Sequence, residues 1–217
     1  MNKCISMQDV PRHVKSGMTV MVGGFMGTGG PNEILRFLAE SDVSDLTLIC
    51  NDTAFGDFGI AKMVERKKFK KIIGTHIGLN AETVRQLNDK EIEVELIPQG
   101  TFAERIRAGG AGLGGFLTPT GIGTVIEEGK QKIAVNGREY LLELPLRADV
   151  ALLFGNTVDR RGNIRFHGST QTFNIVMATA ADRVIVEAEK LVDIGGISPD
   201  DVHIPHLFVD YIVEGVK

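Results

Sequence analysis

Two glycine-rich segments and one glutamine are the residues of this chain whose types and spacing suit them best to act on a ligand. Gly23-Gly24-Phe25-Met26-Gly27-Thr28-Gly29-Gly30-Pro31 lies near the start of the chain, and residues 109–121 contain six glycines, Gly109, Gly110, Gly112, Gly114, Gly115 and Gly121. Such segments lack the side chains for acid–base or nucleophilic chemistry. They accept backbone angles that a Cβ forbids and let another molecule approach the main chain closely. Gln99 falls between them, in Pro98-Gln99-Gly100-Thr101. Its amide can donate to a developing oxyanion without titrating, which suits a reaction at a carbonyl. No Ser-His-Asp arrangement or nucleophile elbow accompanies these residues. The pattern points to a chain that binds and positions a ligand while the reacting group belongs to something else.

Other constellations carry less. Gly110, Gly112 and Gly115 satisfy the G-x-G-x-x-G spacing, but a dinucleotide fingerprint must follow a strand and open a helix. Here the spacing follows a predicted helix and runs into Phe116-Leu117-Thr118-Pro119. The first glycine segment is not a P-loop either, because no Gly-Lys-Ser/Thr follows it. His203 and His206 lack Cys or carboxylate support for a metal, so no metal site is expected. His76 reads as structural. Cys4 and Cys50 are too few and too ill-spaced for a disulfide framework or a zinc site.

The elements that must hold these residues follow from apolar patterning. Met18–Val22 and Leu46–Cys50 are continuous apolar runs, as in strands buried on both faces. Pro31 suits the first turn of a helix whose stripe is Ile34, Leu35, Phe37 and Leu38. The first glycine segment therefore joins a strand to a helix N-terminus, where orphan N–H groups favour an anion or a carbonyl. Ser6 with Asp9 predicts a capped first helix. Lys71–Gly74 predicts a strand, and 81–87 a helix. Ile92, Val94 and Leu96 alternate with Glu91, Glu93 and Glu95 in a half-exposed strand. Thr101 with Glu104 predicts a capping box for a helix over 102–107. Gln99 then sits where a strand ends and a helix begins, the edge where open α/β sheets collect ligands.

In the second half, Asn136-Gly137 between apolar runs predicts a hairpin within 132–144. Val150–Phe154 and Val184–Val186 read as strands, Arg161-Gly162-Asn163 as a turn and 173–181 as a helix. The fold class is α/β, a mostly parallel mixed sheet flanked by helices with hairpins added in the second half. Residues 1–217 are expected to form a single domain. Hydrophobic residues make up 43% of the chain and charged residues 24%, enough to bury a core. A net charge of −4 argues against nucleic-acid binding. The basic run Glu65–Lys71 reads as a solvated face. Neither a signal peptide nor a membrane span is seen, so a reduced, cytoplasmic location is expected.

Several long segments in order carry a resemblance. Gly17–Phe25 continuing to Gly29-Gly30-Pro31, Asn51-Asp52-Thr53, the stretch from Pro98 to Arg107, Gly109–Gly129 with Thr118-Pro119-Thr120-Gly121, and Leu144–Leu152 resemble the motifs of the α subunits of acetate/butyrate–acetoacetate CoA-transferases, within the 3-oxoacid CoA-transferase family. Three positions depart from the family pattern: Ser16 for Asp or Asn, Ile175 for Pro, and His206 for Gly.

The resemblance implies ping-pong transfer of coenzyme A between acyl-CoA and short-chain carboxylates, through a nucleophilic glutamate in a Ser-Glu-Asn-Gly motif of the β subunit. No Ser-Glu-Asn-Gly occurs in this chain. It further implies an assembly of two α and two β chains, coenzyme A as co-substrate with no tightly bound cofactor, Gln99 as the oxyanion-hole residue, and CoA contact by Gly23, Gly24, Phe25, Met26, Gly27, Thr28 and Gly29. Gly109, Gly110 and Gly112 would let the acyl group lie close to the backbone. The alternative reading is a sugar-phosphate-sensing or isomerase-like domain of a related fold, which would need its own acid/base residue beside the glycine segments.

Overall fold

The computed structural model describes residues 3–215. Alternation within the buried apolar runs fixes the layering, because successive strand residues face opposite sides of a sheet. In β1 (Thr19–Val22) and β2 (Leu46–Cys50), Val20, Val22, Leu48 and Cys50 enter one core, while Met21 and Ile49 enter the other. The first core is covered by α1 (Asn32–Ala39), α2 (Gly59–Glu65) and α3 (Ala81–Asn88). The second is covered by α4 (Gln99–Gly110) and α5 (Asn174–Met177), through Phe102, Ile106 and Met177.

The remaining strands are β3 (Phe69–Gly74), β4 (Glu93–Leu96), β5 (Phe116–Thr118), β6 (Lys132–Val135), β7 (Arg138–Glu143), β8 (Ala148–Asp159), β9 (Ile164–Arg165), β10 (Ala181–Val192) and β11 (Tyr211–Glu214). The main sheet runs β11-β10-β8-β1-β2-β3-β4 with parallel pairing throughout, and β9 folds back antiparallel on β8. A small antiparallel sheet, β5-β7-β6, stands apart from it. The α/β class, the parallel sheet and the added hairpins expected from the sequence are all present. Asn136 and Gly137 take positive φ at the β6–β7 turn, as a two-residue hairpin with right-handed strand twist requires. No helix among the described residues is long and apolar enough to cross a membrane.

Several boundaries differ from the expectation. The Ser6–Asp9 contact forms, with the Asp9 carboxylate 2.6 Å from Ser6 Oγ, but Met7–Arg12 is a 3₁₀ turn, since Pro11 interrupts an α-helical ladder. The capping box of Thr101 and Glu104 does not form. Pro98 occupies the N-cap position and its carbonyl accepts from Phe102 N at 2.8 Å, so α4 starts at Gln99 and places Thr101 inside the helix. Thr101 is buried and its hydroxyl has no partner among the described residues, while Glu104 pairs with Arg107. The helix expected over 173–181 is the single turn α5. Ala181 already opens β10, which pairs with β8 almost from end to end. α2 and β5 are additions to the elements that the apolar patterning predicts. The basic run opens out at β3 with Phe69 buried, and its lysines pair locally, Lys67 with Glu91 and Lys71 with Glu95.

Candidate ligand site at the carboxyl edge of the sheet

The first glycine segment leaves β1 at Gly23, whose N–H donates to Leu152 O on β8. Phe25 and Thr28 exchange both main-chain hydrogen bonds, at 3.0 and 2.9 Å, around a turn in which Met26 and Gly27 have φ of 51° and 81°. A methionine in that conformation is held by its N–H donating to Asp52 Oδ2 at 2.8 Å. Gly27 lies against the Phe58 ring so closely that a Cβ there would overlap it. Beneath the turn remains a cavity of about 10 Å³ lined by Gly23, Gly24, Gly27, Gly30 and Asp52, room for one water at most. The outer side is different. Phe25, Met26, Thr28, Phe55, Phe58 and Thr172 border a cleft of about 390 Å³, the side of the turn that has room for a ligand.

Gly24 has φ of 110°, and a Cβ on it would come within 2.9 Å of Gly30 N and 3.1 Å of Thr28 O. Glycine is therefore required by the segment's own closure. Under the CoA contact that the resemblance implies, Gly24→Val is expected to lower activity with every acyl-CoA alike in the assembled enzyme, because the backbone strain, of order 1–3 kcal/mol, displaces the whole turn. Steady-state kinetics beside a thermal midpoint test this. A folded variant with altered acyl preference but unchanged affinity for CoA would refute it.

The N-terminus of α1, expected to attract an external anion, is already served by an internal one. Glu187 of β10, 5% exposed, accepts from Ile34 N at 2.8 Å. Burial pushes its carboxyl up to about 7, against the Ile34 N–H, which favours the anion. The folded chain thus holds this proton more tightly than the unfolded one, whose ordinary value is 4.5. Its contribution to stability is complete below about pH 4.5 and declines through pH 7, a loss of about 3 kcal/mol at higher pH. Glu187→Gln keeps an acceptor for Ile34 but cannot ionise. Relative to the parent, its thermal midpoint is expected to rise between about pH 5 and pH 8. Parallel curves over that range would contradict the assignment.

A run of buried hydrogen bonds links the first glycine segment to the neighbouring strand ends. Asp52 Oδ2 accepts from both Met26 N and Asn51 Nδ2, and Oδ1 accepts from Ala54 N, each at 2.8 Å. Thr75 Oγ1, beyond β3, donates to Asn51 O at 3.0 Å. Asn80 caps α3 and donates to Thr53 O at 3.1 Å, and Thr83 reaches Thr53 Oγ1 at 2.9 Å. Sequence reading found Asn51-Asp52-Thr53 only as a motif. The available signal was three polar residues directly after a buried strand.

Gln99 is the first residue of α4, exposed at the same edge. It follows β4 while the glycine segment follows β1, three inter-strand steps away and so roughly 14 Å across the sheet. Arg105 ties this helix down, donating to Leu144 O at 2.8 Å and to Glu95 Oε1 at 3.0 Å.

The second glycine segment divides. Gly109 and Gly110 are the end of α4, packed so tightly on Leu146 O and Thr179 that a Cβ on either would overlap. These two let the end of α4 pack closely on its neighbours. Nothing lies within 4 Å of a Cβ built at Gly112 or Gly114. His76 is exposed, and His203 Nδ1 accepts from Phe166 N at 2.9 Å. No cluster of His, Cys, Asp or Glu among the described residues could hold a metal ion.

Residues 5–215 match the family model described as Coenzyme A transferase. The chain belongs to the coenzyme A transferase family. It is 49% identical over 211 residues to the acetate CoA-transferase subunit alpha of Escherichia coli K12, covering 97% of this chain and 96% of that one. It is 48% identical over 213 residues to the acetoacetyl-CoA:acetate/butyrate CoA transferase alpha subunit of Clostridium acetobutylicum, covering 98% of each. Among solved structures it is similar to an acyl-CoA transferase (YdiF) of E. coli O157:H7 in a thioester complex with CoA, with TM-score 0.88 and 21% identity. That likeness is one of fold. It covers 99% of this chain but 47% of the other, so this chain spans about half the length of that enzyme.

Membership of the coenzyme A transferase family displaces the sugar-phosphate and dinucleotide readings. Gly110 ends a helix and Phe116–Thr118 is a strand, so the G-x-G-x-x-G spacing has the wrong context for a dinucleotide. The three departures from the family pattern lie in ordinary positions. Ser16 Oγ accepts from Ser44 N, Ile175 packs on the second core, and His206 N donates to Asn163 Oδ1.

Proposed function

We propose that this chain is the α subunit of a short-chain acyl-CoA:carboxylate CoA-transferase of the acetate/butyrate–acetoacetate type, acting in the cytoplasm as a single domain within an assembly of two α and two β chains. The observation that carries this reading is near-full-length identity of 48–49% to two proteins named as alpha subunits of such enzymes. The engagement of this chain's own buried carboxylates supports the division of labour. Asp52 spends both oxygens on N–H donors, and Glu187 is spent on the α1 N-terminus. Neither is available as a nucleophile.

In the proposed cycle a β-subunit glutamate attacks the acyl-CoA carbonyl, and the tetrahedral oxyanion expels CoA thiolate to leave a mixed anhydride. The thiolate then attacks the glutamyl carbonyl, which releases the donor carboxylate and stores CoA as a glutamyl thioester. An acceptor carboxylate reverses both steps. Gln99 donates its amide N–H to each oxyanion. Residues Gly23–Gly29 hold the CoA moiety, whose extended pantetheine arm bridges the distance to Gln99. CoA enters and leaves as a co-substrate, and no tightly bound cofactor takes part. The test is to co-express the chain with a partner carrying Ser-Glu-Asn-Gly and assay acyl-CoA donors against short carboxylates. Failure of the assembled pair to transfer CoA between any of them would overturn the reading.

A further inference from the structure

Asn174 is completely buried at the start of α5, and its amide is spent entirely on main-chain groups. Nδ2 donates to Gly29 O and to Thr170 O, both at 2.9 Å, and Oδ1 accepts from Phe154 N at 3.1 Å. Two carbonyls and one N–H fix the orientation of the amide, and among side chains of this size only asparagine offers two donors and an acceptor at once. The same amide meets the other end of the glycine segment, since a Cβ added to Gly23 would overlap Asn174 Oδ1. Gly29 in turn lies against the Thr170 carbonyl that Asn174 holds, leaving no room there for a Cβ. One side chain, 145 residues distant from Gly29, therefore grips the segment where it leaves β1 and where it approaches α1.

We propose that Asn174 is a positioning residue for acyl-CoA, setting the span from Gly23 to Gly29 and with it the outer face of the Phe25–Thr28 turn. The inference rests on the reading of that segment as a CoA contact. Asn174→Asp separates positioning from packing. It keeps the shape and the acceptor for Phe154 N, but sets an oxygen against the carbonyls of Gly29 and Thr170. Ionised, that oxygen repels both. Protonated, its O–H donates to one. Burial, with two carbonyls facing the carboxyl against the single donor Phe154 N, raises its pKa, so the variant acquires a proton dependence.

In the assembled enzyme, KM for acyl-CoA is expected to rise at least about tenfold over the parent at about pH 8 and to fall back toward it at about pH 6, with kcat less affected. Glu187 of β10, whose register partner on β8 is Phe154, titrates in the parent too, and His167 stands at the head of the 168–171 turn, so the variant-to-parent ratio at each pH is the readout. Asn174→Ser cannot ionise and is expected to raise KM at both pH values, which covers the case in which the aspartate variant does not fold. Hydrogen exchange of the amides of residues 24–28 reports the segment without any ligand. Unchanged exchange, or a lower thermal midpoint with parental KM and exchange, would overturn the proposal. Faster exchange with unchanged KM would also overturn it, and would place the fault in the CoA reading of the segment.

Discussion

Purified without a second chain, this protein is expected to transfer no CoA above background with any donor and acceptor pair. Covalent catalysis by a carboxylate needs a free nucleophile facing the bound thioester. The buried carboxylates beside the glycine segment are Asp52 and Glu187, and both are committed to main-chain N–H groups. Two half-buried acids, Glu33 in the first turn of α1 and Glu95 of β4, pair instead with arginine, with Arg36 and Arg105 respectively. Titrating a β chain into the preparation should restore turnover until one partner is saturated, as read by acyl-CoA consumption and product analysis. Full turnover by a preparation shown by mass spectrometry to lack any second chain would end the two-subunit reading.

Gln99→Ala in the assembled enzyme is expected to lower kcat and kcat/KM together by roughly a hundredfold or more, the usual effect of removing one oxyanion donor. The position allows a clean test. Gln99 is exposed at the first turn of α4, alanine is a better helix former, and the helix is anchored elsewhere by Phe102, Ile106 and Arg105. The thermal midpoint and subunit assembly should therefore stay at parental values. An unchanged kcat would make Gln99 an ordinary residue at a strand-to-helix junction.

The framework was legible because burial on both faces leaves an uninterrupted apolar run, as in β1 and β2, and because Asn136-Gly137 admits few conformations other than a tight hairpin. Gln99 was legible at a strand-to-helix junction, although the capping box that was to mark its helix was not formed. Pro98 supplied an earlier start that residue types at 101 and 104 could not reveal. α2 carries a weak signal, because only seven residues hold its pattern and they begin with a glycine. β5 is three residues long within a glycine-rich stretch. The side chains that hold the candidate site were the least visible. Glu187 reaches Ile34 across 153 residues and Asn174 reaches Gly29 across 145, and no local spacing encodes such pairings. Asp52, 26 residues from Met26, was seen as a motif without a role.

The turn at Phe25–Thr28 is tied to β2 through Asp52 and to α5 through Asn174, with space beneath it for no more than a single water. Its conformational entropy is therefore surrendered when the chain folds, and little remains to be lost when a ligand arrives. Under the proposed CoA contact, association there is expected to proceed with a small entropic penalty for ordering protein, so that the affinity reflects what the ligand itself must give up. A surface of this kind discriminates by shape already in place. Any change in affinity for the CoA part would then have to come through the side chains that border the outer cleft, Phe25, Met26, Phe55 and Phe58, while the main chain beneath them stays as it is.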